Sequence, residues 1–191
     1  WRGGTGGERR PGMVMGGGMV MNDGGRGRRS IRLRGYDYGQ AGAYFVTICT
    51  QDRARVFGVV VDGQMRLSAA GRMVDEAWRE MFQRYHGMQE DAFVVMPDHV
   101  HGVVVLQGRG HFDAASAGAA SLSLDDVVKR YKSWTTRLYL EGVQAGRWPP
   151  VRRRLWQRNY YERIVRDADA LDRIRAYIHD NPCKASPRSA P

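Results

Sequence analysis

Cysteine is nearly missing from this chain: Cys49 and Cys183 are the only two in 191 residues. They lie far apart and form no Cys-x-x-Cys pattern, so neither a disulfide framework nor a cysteine metal site is indicated. Long apolar runs are missing too. No stretch approaches the roughly 18 consecutive apolar residues that span a bilayer, and the N-terminus lacks the apolar core of a signal peptide. A soluble cytoplasmic protein with no membrane partner is the expectation. Acidic residues are in the minority, 20 against 30 Lys and Arg, for a formal net charge of +10. That excess points to a polyanionic partner, because phosphate neutralisation dominates nucleic-acid affinity. It is not a tail effect: residues 1–29 hold six arginines and two acidic residues, a net +4, which leaves +6 on the rest. An anionic membrane surface is the competing partner, but the basic residues follow no long amphipathic helix.

What the chain does have is 42% hydrophobic content, enough at this length for one domain with a real core and too little for two large ones. Residues 1–29 are rich in Gly, Arg and Met without apolar periodicity, and cannot bury enough surface to offset chain ordering. They are expected to be a disordered tail, as are residues 186–191, flanking a single domain over 30–185. Strands are predicted over 44–50, 56–61, 64–67, 91–96 and 101–106, with a hairpin at Asp62-Gly63. Helices are predicted over 68–85, 124–140 and 167–180. A Gly, Ala and Ser-rich stretch over 108–123 reads as a surface loop. The mixture implies an α+β fold with helices packed on a sheet.

Residues 96–101 read Met-Pro-Asp-His-Val-His and run into the apolar Gly102-Val103-Val104-Val105-Leu106. In a strand, His99 and His101 project from one face while Val100 points into the core. Paired imidazoles suggest a metal site, against the alternative of ordinary histidines at a strand start. In the C-terminal helix Leu171, Ile174 and Ile178 carry helical spacing, Asp167 caps the start, and Pro182 is expected to stop it. Tyr177 and Asn181 then stand one turn apart. On the helix alone, Tyr177 could equally be a core residue and Asn181 a terminal cap.

Four segments in order carry a resemblance to a known family. Arg34-Gly35-Tyr36-Asp37-Tyr38 with Ala43 to Thr50 comes first, then Met96-Pro97-Asp98-His99-Val100-His101-Gly102. Leu155-Trp156-Gln157-Arg158-Asn159-Tyr160-Tyr161-Glu162-Arg163-Ile164-Val165-Arg166-Asp167 follows, and Tyr177-Ile178-His179-Asp180-Asn181-Pro182 closes the pattern. Together they cover residues 30–185 and resemble the REP-associated tyrosine transposases, within the HUH single-strand DNA transposases of the IS200-like type. One departure stands out: Asp98 occupies the position where the family usually has Asn, and an extra carboxylate there could alter metal preference. The resemblance implies a ferredoxin-like antiparallel sheet with helices covering one face. It also implies single-stranded DNA with REP-like hairpins as partner, and Mg2+ or Mn2+ as the divalent metal. A homodimer remains open, with the tyrosine helix supplied by the same subunit or by a partner.

Cutting a phosphodiester requires neutralised charge on the phosphoryl oxygens and an aligned nucleophile. His99 and His101 would hold the cation, and the resemblance puts Asn181 at the third ligand position. Tyr177 would attack the phosphate, leaving a phosphotyrosine on one DNA end and a hydroxyl on the other. His179, two residues from Tyr177, falls on another face of the helix. For DNA contact, the helix over 124–140 offers Lys129, Arg130, Lys132 and Arg137, though most helices have a solvated basic face. Arg152, Arg153, Arg154 and Arg158 lie beside Trp148 and Trp156, a combination suited to single strands, with Trp156 equally suited to the core. Two other functions fit the residues: a hairpin-binding protein that does not cut, and a zinc hydrolase using His99, His101 and Asp98.

Overall fold

The computed structural model describes residues 39–108 and 122–184. The predicted tails, the motif Arg34 to Tyr38 and nearly all of the 108–123 loop lie outside the described residues. In chain order the elements are β1 (Gly42–Cys49), a short 3-10 turn (Gln51–Arg53), β2 (Gly58–Val61), β3 (Gln64–Leu67) and α1 (Ala69–Arg84). Then come β4 (Met88–Met96), β5 (His99–Leu106), α2 (Leu124–Gln144), β6 (Tyr161–Val165) and α3 (Ala168–Lys184).

Alternation builds the main sheet. In β1, Tyr44, Val46 and Ile48 are fully buried on one face, while Ala43, Phe45, Thr47 and Cys49 take the other. The sheet runs in the order β4-β5-β1-β6, and every pair is antiparallel. Since β4 and β1 both oppose β5, they run parallel to each other and need a crossover, which α1 supplies. Likewise α2 joins β5 to β6. Two such crossovers on one four-stranded sheet make the ferredoxin-like arrangement, with the β2–β3 hairpin inserted before α1. That hairpin turns through Asp62 (φ 51) and Gly63 (φ 72), the positive dihedrals of the tight turn read from Asp-Gly.

Helices α1 and α2 cover the Tyr44-Val46-Ile48 face. Ser68 caps α1 by accepting from the Gly71 N–H at 3.0 Å, and Ser123 with Asp126 forms a capping box on α2. Val74, Trp78 and Met81 of α1 and Val127, Val128 and Tyr131 of α2 meet the sheet in one core. Gly102 is required there, because a Cβ would stand 2.6 Å from the Trp78 ring, which stacks on Phe93. Trp156 is core as well, its indole N–H donating to Thr135 Oγ1 at 2.9 Å.

Three expectations need correction. Helices do not cover one face only: α3 lies on the opposite face, where Ile174 and Ile178 pack with Val103, flanked by Phe45, Val94 and Val105. Pro182 does not stop α3, which continues to Lys184. The helix runs only two residues past the proline, so it ends within the same turn. Finally, β6 is a strand that the sequence pattern does not announce. Its alternation Tyr161-Glu162-Arg163 is mostly polar, as suits an edge strand with one face open.

Candidate active site

Register places the site. His101 pairs with Thr47 of β1, and Thr47 pairs in turn with Tyr161 of β6; His99 pairs with Cys49. Cross-strand partners share a face, so His99, His101, Thr47, Cys49 and Tyr161 all lie on the side that carries α3. Val100 is fully buried on the other side, as the strand periodicity requires. Hydrophobic contacts of Ile174 and Ile178 set the rotation of α3 and turn Tyr177 toward the histidines.

The two imidazoles converge, with His99 Nε2 and His101 Nε2 3.1 Å apart. The far nitrogen of each ring is also engaged. His99 Nδ1 lies 2.6 Å from Asp98 Oδ1, and His101 Nδ1 lies 2.7 Å from Thr47 Oγ1. Beneath them Phe45 stacks on His101 with ring centres 5.4 Å apart and meets Tyr177 edge-on at 6.0 Å. Tyr177 Oη lies 3.4 Å from His101 Nε2, too long for a strong bond, and its side chain is 43% exposed. The phenol is thus held near the imidazole edge yet open to a ligand, within one chain.

Electrostatics fit a neutral His101 ring. Burial, with the His99 ring and the Arg53 guanidinium nearby, pushes His101 down to about 3. Burial alone would raise the Asp98 carboxyl. The His99 hydrogen bond and the Arg53 charge outweigh it and hold Asp98 below the ordinary carboxylate range. Arg53 Nε reaches Asp98 Oδ2 at 2.9 Å, and the same guanidinium donates to Cys49 Sγ at 2.8 Å. Burial pushes that thiol up.

The donor set fits a divalent cation. Two ligands at right angles on one ion, with bonds of about 2.1 Å, stand about 3 Å apart, close to the separation of the two Nε2 atoms. Carboxylate or hydroxyl partners on the other nitrogens are how proteins orient imidazole ligands. Among the described residues no cluster of three His, Cys, Asp or Glu side chains is arranged to hold a metal. Asn181 is half-buried one turn after Tyr177, and no hydrogen bond joins it to either histidine among the described residues. Both Asp98 oxygens face away from the convergent edge, onto His99 Nδ1 and Arg53. The zinc-hydrolase alternative would need Asp98 to turn from these partners toward the convergent edge.

The basic residues fall in three settings. Lys132 donates to the Gln157 and Arg158 carbonyls at 2.7 and 2.9 Å, so it straps the chain rather than facing solvent. Lys129, Arg130 and Arg137 line a cavity of about 530 Å3 with Arg84, Tyr85 and Trp134, on the helical side of the sheet. Arg152, Arg153, Arg154 and Arg158 are exposed on a segment pinned to the site's end of β1. The pins are Gln51 N–H to the Leu155 carbonyl at 2.8 Å and Gln157 N–H to the Cys49 carbonyl at 2.9 Å. His179 is exposed and pairs with Asp180, away from the site. Sequence reasoning assigns no role to Phe45, Thr47 or Tyr161, although Tyr161 is 55% exposed in the His101 row. The signal is available only through the register of β6 on β1.

Fold and site together define an α+β domain that brings a tyrosine on an appended helix against a paired-imidazole edge of its sheet. The family model "Transposase IS200 like" matches residues 42–181, and the chain belongs to that family. A role in DNA transposition follows from that membership. An uncharacterised protein of Haemophilus influenzae (strain ATCC 51907 / DSM 11121 / KW20 / Rd) is 32% identical over 165 residues, 81% of this chain and 88% of its own length. Among solved structures, a REP-associated tyrosine transposase bound to a REP hairpin shares 19% identity over 80% of this chain and 73% of its own, with a TM-score of 0.48. A candidate transposase from Deinococcus radiodurans R1 shares 19% identity over 78% of this chain and 95% of its own, with a TM-score of 0.46. No helix among the described residues is long and apolar enough to cross a membrane.

Proposed function

We propose that this transposase cleaves and rejoins single-stranded DNA next to a hairpin, with Tyr177 as nucleophile. The observation that carries this reading is the approach of the Tyr177 phenol to the convergent His99–His101 edge, with Oη 3.4 Å from His101 Nε2. In the reaction a bond forms between Tyr177 Oη and the phosphorus, and the bond from phosphorus to a neighbouring sugar oxygen breaks. The phenol loses its proton and the departing sugar oxygen gains one. One phosphoester replaces another, so the bond energy stays available for a second DNA hydroxyl to reverse the exchange. Water-driven hydrolysis would discard it, which is why strand transfer suits a tyrosine.

His99 and His101 would hold the metal, with Asn181 the remaining polar group on the tyrosine helix. When bound, Mg2+ or Mn2+ supplies charge neutralisation at the phosphoryl oxygens. Phe45 keeps the His101 and Tyr177 rings in register, and the exposed Arg152, Arg153, Arg154 and Arg158 are suited to backbone phosphates beside the cut. The choice of hairpin DNA is supported by the motif resemblance to REP-associated tyrosine transposases. The test is to incubate the protein with labelled hairpin DNA from its own genome and Mg2+ or Mn2+, then look for a DNA–protein adduct on a denaturing gel. An adduct lost in Tyr177→Phe, with binding retained, supports the proposal. Tight binding without any adduct would make this a hairpin-binding protein that does not cut.

A further inference from the structure

We propose that Asp98, whose outer oxygen is taken by Arg53, fixes the tautomer of His99, so that its Nε2 presents a lone pair rather than a proton to the convergent edge. The inference rests on the metal-holding role of His99 given above. Asp98 is a positioning residue here, acting only through His99.

The pair is built by the backbone. After β1 the chain passes through Asp52 (φ 55) and Arg53 (φ 57), two consecutive non-glycine residues in the sparsely populated left-handed region. That turn directs Arg53 back over the end of the strand, where Nε meets Asp98 Oδ2 at 2.9 Å. The Asp98 backbone is pinned independently: its carbonyl accepts from the Thr50 N–H and the Thr50 hydroxyl, both at 2.9 Å. With position and rotation set, the other oxygen receives His99 Nδ1–H at 2.6 Å. An ionised carboxylate only accepts, so His99 must carry its proton on Nδ1. His101 is held differently. Its Nδ1 faces the Thr47 hydroxyl, which can give or take a proton, so this ring is free to change tautomer while His99 is not.

The same geometry favours a carboxylate over an amide before His99. An amide has one accepting and one donating end, yet Arg53 can only donate. In the Asp98→Asn variant, an amide oxygen turned to Arg53 would leave the NH2 against His99 Nδ1 and force the proton onto Nε2, on the metal edge. Turned the other way, the NH2 would oppose the guanidinium. The amide becomes compatible once Arg53 is removed.

Nitrogen NMR of the metal-free protein reads the tautomer directly, and Mn2+ titration reads its consequence. Wild-type His99 is expected as the Nδ1–H form. Asp98→Asn should lower Mn2+ affinity by about 10- to 100-fold, the usual effect of losing such an orienting partner, with a shift toward Nε2–H. Arg53→Ala should change affinity little, and Asp98→Asn combined with Arg53→Ala should recover most of the loss. Asp98→Ala should lose affinity with or without Arg53. A wild-type His99 protonated on Nε2, or a double variant no better than Asp98→Asn, would overturn the assignment. Failure of wild type to bind Mn2+ with His99 already in the Nδ1–H form would instead overturn the metal role of the histidines and leave the tautomer assignment standing.

Discussion

Arg175 grips Asp91 with two parallel bonds, Nε to Oδ1 at 2.9 Å and a terminal nitrogen to Oδ2 at 2.6 Å. It thereby ties the tyrosine helix to the irregular stretch of β4 between Glu90 and Phe93, where the register on β5 shifts. The clamp lies two residues before Tyr177 and helps dock α3 on the sheet.

The Asp91 carboxyl is held below its ordinary range, first by the Arg175 hydrogen bonds and then by the Ala92 N–H and the guanidinium charge, against an opposing effect of burial. A depressed carboxylate contributes stability above its unfolded pKa of about 3.9, and that contribution is lost as pH falls through the lower folded value. Hydrogen-exchange protection of α3 amides, measured against their intrinsic rates, should therefore fall selectively below about pH 4. Asp91→Asn should bring that lower protection to neutral pH. Equal rates for α3 in variant and wild type would show that apolar packing alone docks the helix.

The inserted hairpin supports the other end of α3. Gly63 sits at φ +72, and a Cβ there would stand 3.5 Å from Cys183 Cα and 3.7 Å from its Sγ, close but ordinary contacts. Gly63→Ala is thus penalised mainly through its backbone, by about 1 kcal/mol or somewhat more. For a domain of this size that lowers Tm by about 2–4 °C per kcal/mol in thermal unfolding. An unchanged Tm would mean that the turn relaxes away from the left-handed region.

Tyr161 stands exposed in the same cross-strand row as Thr47 and His101, on an edge strand, where a base of a bound single strand can stack on it. Tyr161→Ala should weaken single-strand binding by about five- to 150-fold, the effect of about 1–3 kcal/mol of stacking. Tyr161→Phe should bind like wild type, since the ring face survives. Fluorescence anisotropy with a labelled oligonucleotide separates the two, and an unaffected Ala variant would remove Tyr161 from the DNA path.

Much of this arrangement is legible in local pattern. Period-two alternation puts His99 and His101 on one face with Val100 behind them, and Asp62-Gly63 announces its hairpin. The spacing of Leu171, Ile174 and Ile178 announces α3. What stays hidden depends on contacts distant in the chain. Nothing local tells that α3 crosses to the face opposite α1 and α2, that Tyr161 enters the His101 row, or that Arg175 reaches Asp91. The departure at Asp98 is visible as a letter, but its role is not. Only the placement of Arg53 shows that both carboxylate oxygens are taken from behind, leaving the histidines to face the opening.

The central claim is that Tyr177 becomes covalently joined to DNA, and peptide mapping tests it most directly. After reaction with hairpin DNA and Mn2+, nuclease trimming and tryptic digestion should leave a nucleotide mass on the peptide spanning residues 176–184, localised by fragmentation to Tyr177. A nucleotide found on Tyr161 or any other residue, or cleaved DNA with no protein-linked nucleotide, would contradict the account.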